Sequence, residues 1–434
     1  MRTGLQLGIA GLGTVGAAVV KLVAQQASML AQRAGQPVVI TGVSARDRGR
    51  DRGVDLSPYR WFQDPVALAA DPRIDVVVEL IGGANGVART VVETALRHGK
   101  HVVTANKALL AHHGLALATQ AQQQQRILAF EAAVAGGIPV IKAFREGLAG
   151  NRIREIHGIL NGTCNFILSE MRTTGRDFAE VLAEAQQLGY AEADPGFDID
   201  GIDAAHKLAV LAAVVFGCAP DIGAVTVEGI RHISAVDIRY ADQLGYRIKL
   251  LGIARQHDGR GIEQRVHPAM VPVSSPIAAV EGVFNAVVAE GDFVDKVTLV
   301  GRGAGAGPTA SAVAADIVDI ARGCFVPPFG VRVEDLASGD DASGAGRPGH
   351  RGAFYIRLMV RDQPGVIADV AAALRDQNVS MEAMLQRGRS PGGVVPVVLT
   401  THETDEAAMK RALHVIGGLE TVVEPPRFIN IEKF

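Results

Sequence analysis

The 434-residue sequence predicts an α/β protein in three parts. One observation is a short strand-like stretch, Leu5 to Ala10, that runs straight into GLGTVG (Gly11 to Gly16) and then an apolar helix. Another is a dense acidic stretch, GYAEADPGFDIDGIDAAHKL (Gly189 to Leu208), followed by β-rich sequence. The last is a change of pattern beyond residue 352, where the order becomes βαββαβ. These predict a doubly wound parallel sheet in residues 1–133 and a second, α+β part rich in antiparallel strands in 134–310. A helix in 311–336 closes back onto the first part, 337–352 is a linker, and 353–434 is a ferredoxin-like unit.

Composition narrows the function classes. Hydrophobic residues make up 48%, ample for large cores, and the net charge of −3 gives no global field pointing to nucleic acid or a membrane surface. Cys164, Cys218 and Cys324 are widely spaced and outside any CxxC pattern, as in a reduced cytoplasmic protein without structural zinc. Arg2 and the run Leu7 to Val20 loosely imitate a signal peptide, but the glycines at 8, 11, 13 and 16 would break it. The longest later apolar run, Leu208 to Pro220, is too short to span a bilayer.

In chain order, strand, G-x-G-x-x-G and a helix from Ala17 to about Gln32 form the context a dinucleotide fingerprint requires. Gly11 permits the tight turn, Gly13 lets the backbone approach a pyrophosphate, and Gly16 lets helix and strand pack closely. Thr14 and Val15 complete the loop, whose free N–H groups at the helix start suit phosphate. Val38 to Val43 is the second strand, ending in Ser44-Ala45-Arg46. An acid there would grip the ribose 2′-hydroxyl of NAD, whereas a guanidinium suits a 2′-phosphate. With Arg46, Arg48, Arg50 and Arg52 following, NADP(H) is the preferred cofactor and NAD(H) the lesser one. A solvated Arg/Asp loop explains Arg50 and Arg52 equally well, and Arg46 less well.

Asp75 to Ile81 is a third buried strand and His101 to Val103 a fourth, ending in Thr104-Ala105-Asn106-Lys107. Lys107 thus lies at a strand's carboxyl end, where such sheets hold ligands. Ile127 to Phe130 is a further strand leading into EAAVAGGIPV, with a helix expected from Pro139 to Leu148. Ile153 to Leu160 is a strand, and NGTCNFIL (Asn161 to Leu168) is a turn entering a helix. Residues 225–300 read as antiparallel β, and GRGAGAG (Gly301 to Gly307) is a second glycine loop before a helix from Thr309 to Ala321. The linker is ASGDDASGAGRPGHRG. After it come a strand (354–360), a helix (366–377), two strands (380–386 and 394–401), a helix (406–417) and a last strand (422–431).

In the acidic stretch, Asp203 stands near a helix N-terminus and Lys207 follows one turn later on the same face. A lysine among so many acids, on a helix too apolar to be exposed, can transfer protons; the plain alternative is a helix-start ion pair.

Several stretches together resemble homoserine dehydrogenase of the form with a C-terminal ACT domain. They are GLGTVG, VVELIGG (77–83), VVTANKALLA (102–111), EAAVAGGIP (131–139), GILNGTCNFIL (158–168), the acidic stretch, GRGAGAGPTASAV (301–313) and DQPGVIADV (362–370). The resemblance covers essentially the whole chain. It implies an N-terminal Rossmann-type domain and NAD(P)-dependent interconversion of L-homoserine and L-aspartate 4-semialdehyde, toward threonine and methionine. Lys207 would be the acid/base, Glu192 would hold the substrate ammonium, and Asp198 and Asp203 would line the pocket. Thr104, Lys107 and the loop ending at Gly307 would lie against the nicotinamide half. Glu131, with the carbonyls of Val134, Gly136 and Ile138, resembles a sodium site; a plain helix-entry turn would look the same. The ACT part would bind an amino acid such as threonine, in a homodimer or homotetramer, or else serve only for oligomerisation. Cys164 departs from the family's usual threonine. Gly344 to Gly352 replaces the usual approach to the first ACT strand.

In this reading hydride passes to the aldehyde carbon and Lys207 protonates the alkoxide, with Asp203 orienting it. In the oxidation direction the lysine must first lose its proton, so that rate rises with pH. Two rival readings remain: a nucleotide and amino-acid sensor without turnover, and a dehydrogenase of a related amino-acid aldehyde.

Overall fold

The computed structural model describes residues 4–257, 261–337, 350–387, 390 and 392–434. Its first sheet is parallel. The strands are β1 (Leu5–Ala10), β2 (Val38–Ser44), β3 (Arg60–Phe62), β4 (Val76–Glu79), β5 (His101–Thr104) and β6 (Leu128–Ala129), in the spatial order β3-β2-β1-β4-β5-β6. The order reverses between β1 and β4, which leaves a crevice at the strands' carboxyl ends. Runs such as Val76, Val77 and Val78, fully buried, are what a sheet covered on both faces selects.

The expected N-terminal helix is two helices, Thr14–Gln25 and Ala27–Ala34, bent by 81° at Gln26. The bend lets Leu30 and Ala34 join the same core as Val19, Val20 and Val23. β3 and the helix Pro65–Ala70, whose N-cap Asp64 accepts from the Val66 N–H, were too short to leave a periodic signal. Among the described residues no single helix is long and apolar enough to cross a membrane.

The second sheet has eleven strands. β7 (Ile153–Ile159), β8 (Val225–Val227), β9 (Tyr246–His257), β10 (Gly261–Pro272), β11 (Phe284–Gly291) and β12 (Asp295–Arg302) belong to the middle of the chain. β13 (Arg351–Arg361), β14 (Met381–Gln386), β15 (Val394–Thr401), β16 (Thr404–Asp405) and β17 (Arg427–Ile431) follow. The spatial order is β12-β11-β7-β9-β10-β17-β13-β15-β14, with β8 on β10 and β16 on β13. The C-terminal unit is the expected βαββαβ, but it is not tethered by a linker alone. Its last strand pairs in parallel with β10, Ala269 opposite Asn430 and Met270 opposite Ile431, so an edge that would otherwise stand open is covered.

Most of the expected linker, 338–349, lies outside the described residues. At its ends the boundary moves inward. Ala337 bridges to Cys218, while His350 is buried beside Glu263 and Phe354, and Arg351 already begins β13. Side chains reinforce the junction: Arg255 bridges Glu155 and Glu432, Arg265 meets Glu406 at 2.7 Å, and Arg357 meets Asp237 at 2.7 Å.

Candidate active site

The glycines of the first loop serve distinct purposes. Gly11 has φ +101°, and a Cβ there would lie 2.5 Å from the Leu80 carbonyl oxygen. A Cβ on Gly16 would lie 2.0 Å from the Gly11 oxygen, so helix and loop touch there. Gly13 faces open space instead. It starts the helix Thr14–Gln25 with no side-chain cap, leaving Thr14, Val15 and their neighbours to present N–H groups outward. In front of this turn lies a cleft of about 440 Å³ lined by Gly11, Gly13, Arg46, Arg50, Arg52 and Ile81. Arg46 is exposed at its rim. Arg52 is not the solvated residue the alternative reading expected: its Nε donates to the Leu12 carbonyl at 3.0 Å, bracing the glycine turn.

At the neighbouring strand ends, Thr104 Oγ1 donates to Glu79 Oε2 at 2.6 Å and accepts from the Asn106 N–H at 3.0 Å. Glu79 Oε1 accepts from the Ile81 and Gly82 N–H groups. The Thr104 hydroxyl therefore builds the crevice floor. Asn106 caps the helix Lys107–Gln123, which places Lys107 at the mouth.

Lys107 reaches across to the second part of the chain, its Nζ 3.1 Å from Asp203 Oδ1. On the other oxygen, Asp203 Oδ2, sits Lys207 Nζ at 2.6 Å, which also donates to the Leu160 carbonyl at 2.8 Å. Asn161 completes the cluster, its Nδ2 donating to Asp198 Oδ1 at 2.8 Å and Asp203 Oδ2 at 2.9 Å. Local sequence explains the placement. Asn161 caps the helix Gly162–Thr174 through the Cys164 N–H, while Asp203 and Lys207 share a face of the buried helix Ile202–Phe216. Burial alone would push the Asp203 carboxyl up, but Lys207 and Lys107, helped by the Lys207 and Asn161 hydrogen bonds, hold it well below the carboxylate range. Asp198 is displaced upward by burial, against the Asn161 hydrogen bond.

The acidic stretch thus divides. Asp198 and Asp203 turn inward, whereas Asp200 pairs with Arg231 and Asp194 accepts the Gly196 N–H. Glu192 is exposed and, among the described residues, forms no ion pair with either lysine. Beside the cluster, Phe197 stacks on His206, whose Nε2 lies 3.3 Å from His112 Nε2. The Cys164 thiol is buried, donates to the Asp198 carbonyl at 3.3 Å, and is pushed up by burial, so it is a poor nucleophile. Sequence reasoning passed over Asn161, although an asparagine before a helical run is a capping signal.

Below the crevice, Glu131 is buried and its two oxygens accept the Ile141 and Lys142 N–H groups, each at 2.9 Å. Burial and the nearby Asp316 raise its carboxyl to about 7. The turn carrying Val134, Gly136 and Ile138 packs on the second glycine loop, with the Gly137 N–H donating to the Arg302 carbonyl at 2.9 Å. Gly307 stands in the first turn of the helix Ala306–Arg322, which packs on the Rossmann core.

A dinucleotide fingerprint on a parallel sheet, a buried lysine–carboxylate cluster that Lys107 ties to that sheet, and an attached ferredoxin-like unit together define an NAD(P)-dependent oxidoreductase carrying a ligand-binding module. Family models agree: "Homoserine dehydrogenase, NAD binding domain" matches residues 11–131, "Homoserine dehydrogenase" 139–318 and "ACT domain" 354–418. The homoserine dehydrogenase of Pseudomonas aeruginosa is 46% identical over 99% of both chains. The crystal structure of a homoserine dehydrogenase from Thiobacillus denitrificans superposes with a TM-score of 0.92, at 43% identity and complete coverage of both chains. A hyperthermophilic archaeal homoserine dehydrogenase in complex with NADPH covers 74% of this chain and 99% of its own, with a TM-score of 0.63 and 27% identity. The chain belongs to the homoserine dehydrogenase family.

Proposed function

We propose that Lys207 is the proton donor when this chain reduces L-aspartate 4-semialdehyde to L-homoserine, with NADPH preferred over NADH. The observation that carries the reading is the hydrogen bonding of Lys207 Nζ. An ammonium has three donors; two are spent on Asp203 Oδ2 and the Leu160 carbonyl, which leaves the third for a developing alkoxide. The cofactor supplies or receives the hydride. Asp203 aims the ammonium through their 2.6 Å contact, Asn161 holds Asp203 and Asp198 in place, and Glu192 on its exposed loop pairs with the substrate ammonium. Gly11 to Gly16 take the pyrophosphate and Arg46 the 2′-phosphate; Thr104, Lys107 and Gly307 border the nicotinamide. Mixing the protein with the semialdehyde and either NADPH or NADH, then repeating with Lys207→Ala, tests this by cofactor absorbance. NADPH oxidation that disappears in the variant supports it; unchanged turnover in the variant sinks it.

A second reading is favoured by the 3.1 Å contact between Lys107 and Asp203. Lys107 occupies the other carboxylate oxygen and is more exposed, so it competes for the proton-donor role. Lys107→Met discriminates, since a donor loss would appear in kcat and a positioning loss in KM.

The Glu131 turn suits sodium. Its donors would be the Glu131 carboxylate, which also accepts two backbone N–H groups, and the Val134, Gly136 and Ile138 carbonyls, all hard oxygens; a cation there would favour the charged form of Glu131 that burial and Asp316 oppose. In the ACT unit, the turn Asp362 to Gly365 would take an amino acid such as threonine; Gly365, at φ +98°, starts its helix without a side-chain cap. A homodimer or homotetramer is supported by the edge strand β12, where Val300 is 54% exposed. A cytoplasmic setting is supported by three free cysteines. The functional parts are 1–133, 134–310, 311–336 and, with the boundary moved to His350, the regulatory unit.

A further inference from the structure

Asn285, on β11, stands apart among the described residues. It is 1% exposed, and neither its Oδ1 nor its Nδ2 has a hydrogen-bond partner. A carboxamide withdrawn from water on both atoms is unfavourable, so one in a native fold calls for an explanation. Its position suggests one. A Cβ added to Gly303 would lie 2.1 Å from both Cγ and Nδ2 of Asn285, so the second glycine loop presses its bare backbone onto the carboxamide. A Cβ added to Gly162 would lie 3.5 Å from Oδ1, which puts the turn at the start of the helix Gly162–Thr174 in contact as well. Gly162 follows Asn161, the residue that holds Asp198 and Asp203. The carboxamide is therefore wedged between the loop at the cofactor's reactive end and the turn that aims the acid cluster.

We propose that Asn285 is a positioning residue for hydride transfer. When cofactor binds, its amide donates to and accepts from the backbone of the Gly303–Gly305 segment, which fixes that loop relative to Asn161 and so relative to Lys207. Gly305, at φ +116°, gives the loop backbone the freedom to turn its peptide groups toward the carboxamide. The pairing of a glycine with an asparagine follows from shape, because no larger residue at 303 leaves room for the amide. This rests on the assignment of Gly301 to Gly307 to the nicotinamide side.

The test uses the full-length chain with Asn285→Ala, Asn285→Asp and Gly303→Ala. The readouts are NADPH affinity by cofactor fluorescence, kcat and KM for L-homoserine with NADP+, and the deuterium isotope effect on kcat with L-homoserine labelled at C4, the carbon that gives up the hydride. Backbone hydrogen exchange of residues 301–307 is followed with and without NADPH. For Asn285→Ala, kcat should fall by about 10²-fold, the loss expected from a misplacement near 1 Å, while NADPH affinity and KM change little. The isotope effect should grow as hydride transfer becomes limiting, and Asn285→Asp, which keeps shape and acceptor, should recover part of the rate. Should Asn285→Ala not fold, Gly303→Ala disturbs the same contact from the loop side and should give the same split. Unchanged kcat and isotope effect in both variants, with only a lower melting temperature, would overturn the positioning role. Exchange that is equal with and without NADPH would instead overturn the assignment of the loop, whatever the variants do.

Discussion

Lys107 Nζ lies 3.1 Å from Asp203 Oδ1, and this contact joins two parts of the chain that share no secondary structure. Lys107 begins a helix of the nucleotide-binding part, and Asp203 begins the buried helix of the substrate part. One carboxylate therefore reads the position of two ammonium groups, one from each wall of the crevice.

Replacing Asp203 with Asn should lower kcat in the reduction direction by about 10² to 10⁴-fold, the usual worth of a positioned acid, because Lys207 loses both its aim and its counter-charge. NADPH affinity should change far less. Comparable losses in both quantities would show that the carboxylate holds the cofactor site together rather than the proton donor.

Arg46→Ala should lower the preference for NADPH over NADH about tenfold, since a charge-assisted hydrogen bond to a 2′-phosphate is worth about 1.5 kcal/mol. Dissociation constants for both cofactors check it. Arg52→Ala should weaken both alike, because Arg52 braces the Leu12 carbonyl.

Glu131 has a folded-state carboxyl raised to about 7 against an ordinary 4.5. The stability it contributes is complete below pH 4.5 and is lost as pH rises through 7, where the charge must be carried in the interior. Above pH 7, sodium chloride should therefore raise the melting temperature more than choline chloride at equal ionic strength. Glu131→Gln should abolish the difference.

His267, buried at the junction with the ACT unit, has the opposite sign. Burial lowers its imidazole to about 4 from 6.5, despite Glu432 nearby. Its contribution is present above pH 6.5 and is lost as pH falls toward 4, because the unfolded chain takes up the proton first. Melting temperatures from pH 7 to 4.5 should fall less steeply in His267→Gln than in the native chain.

The nucleotide-binding part was legible at the level of single residues. The tight turn at Gly11 and the close packing at Gly16 are carried by their spacing, because a strand, a turn and a helix leave few other arrangements. Asp203 and Lys207 were legible as a pair for the same local reason, one helical turn of separation. Asn161 and Arg52 were not, since a cap or a brace shows itself only through its partner. The bend at Gln26 left no mark either, having neither proline nor glycine to announce it.

The order of elements, the fingerprint, the acidic stretch and the βαββαβ pattern are short-range properties, written in neighbouring residues. The meeting of Lys107 with Asp203, the wedging of Asn285 between two backbones and the pairing of β17 with β10 into one sheet of two units emerge only once the chain is folded. The physical reason is the same in each case. These contacts join residues far apart in the chain, where no periodicity links the partners, and each is fixed by packing rather than by local conformational preference.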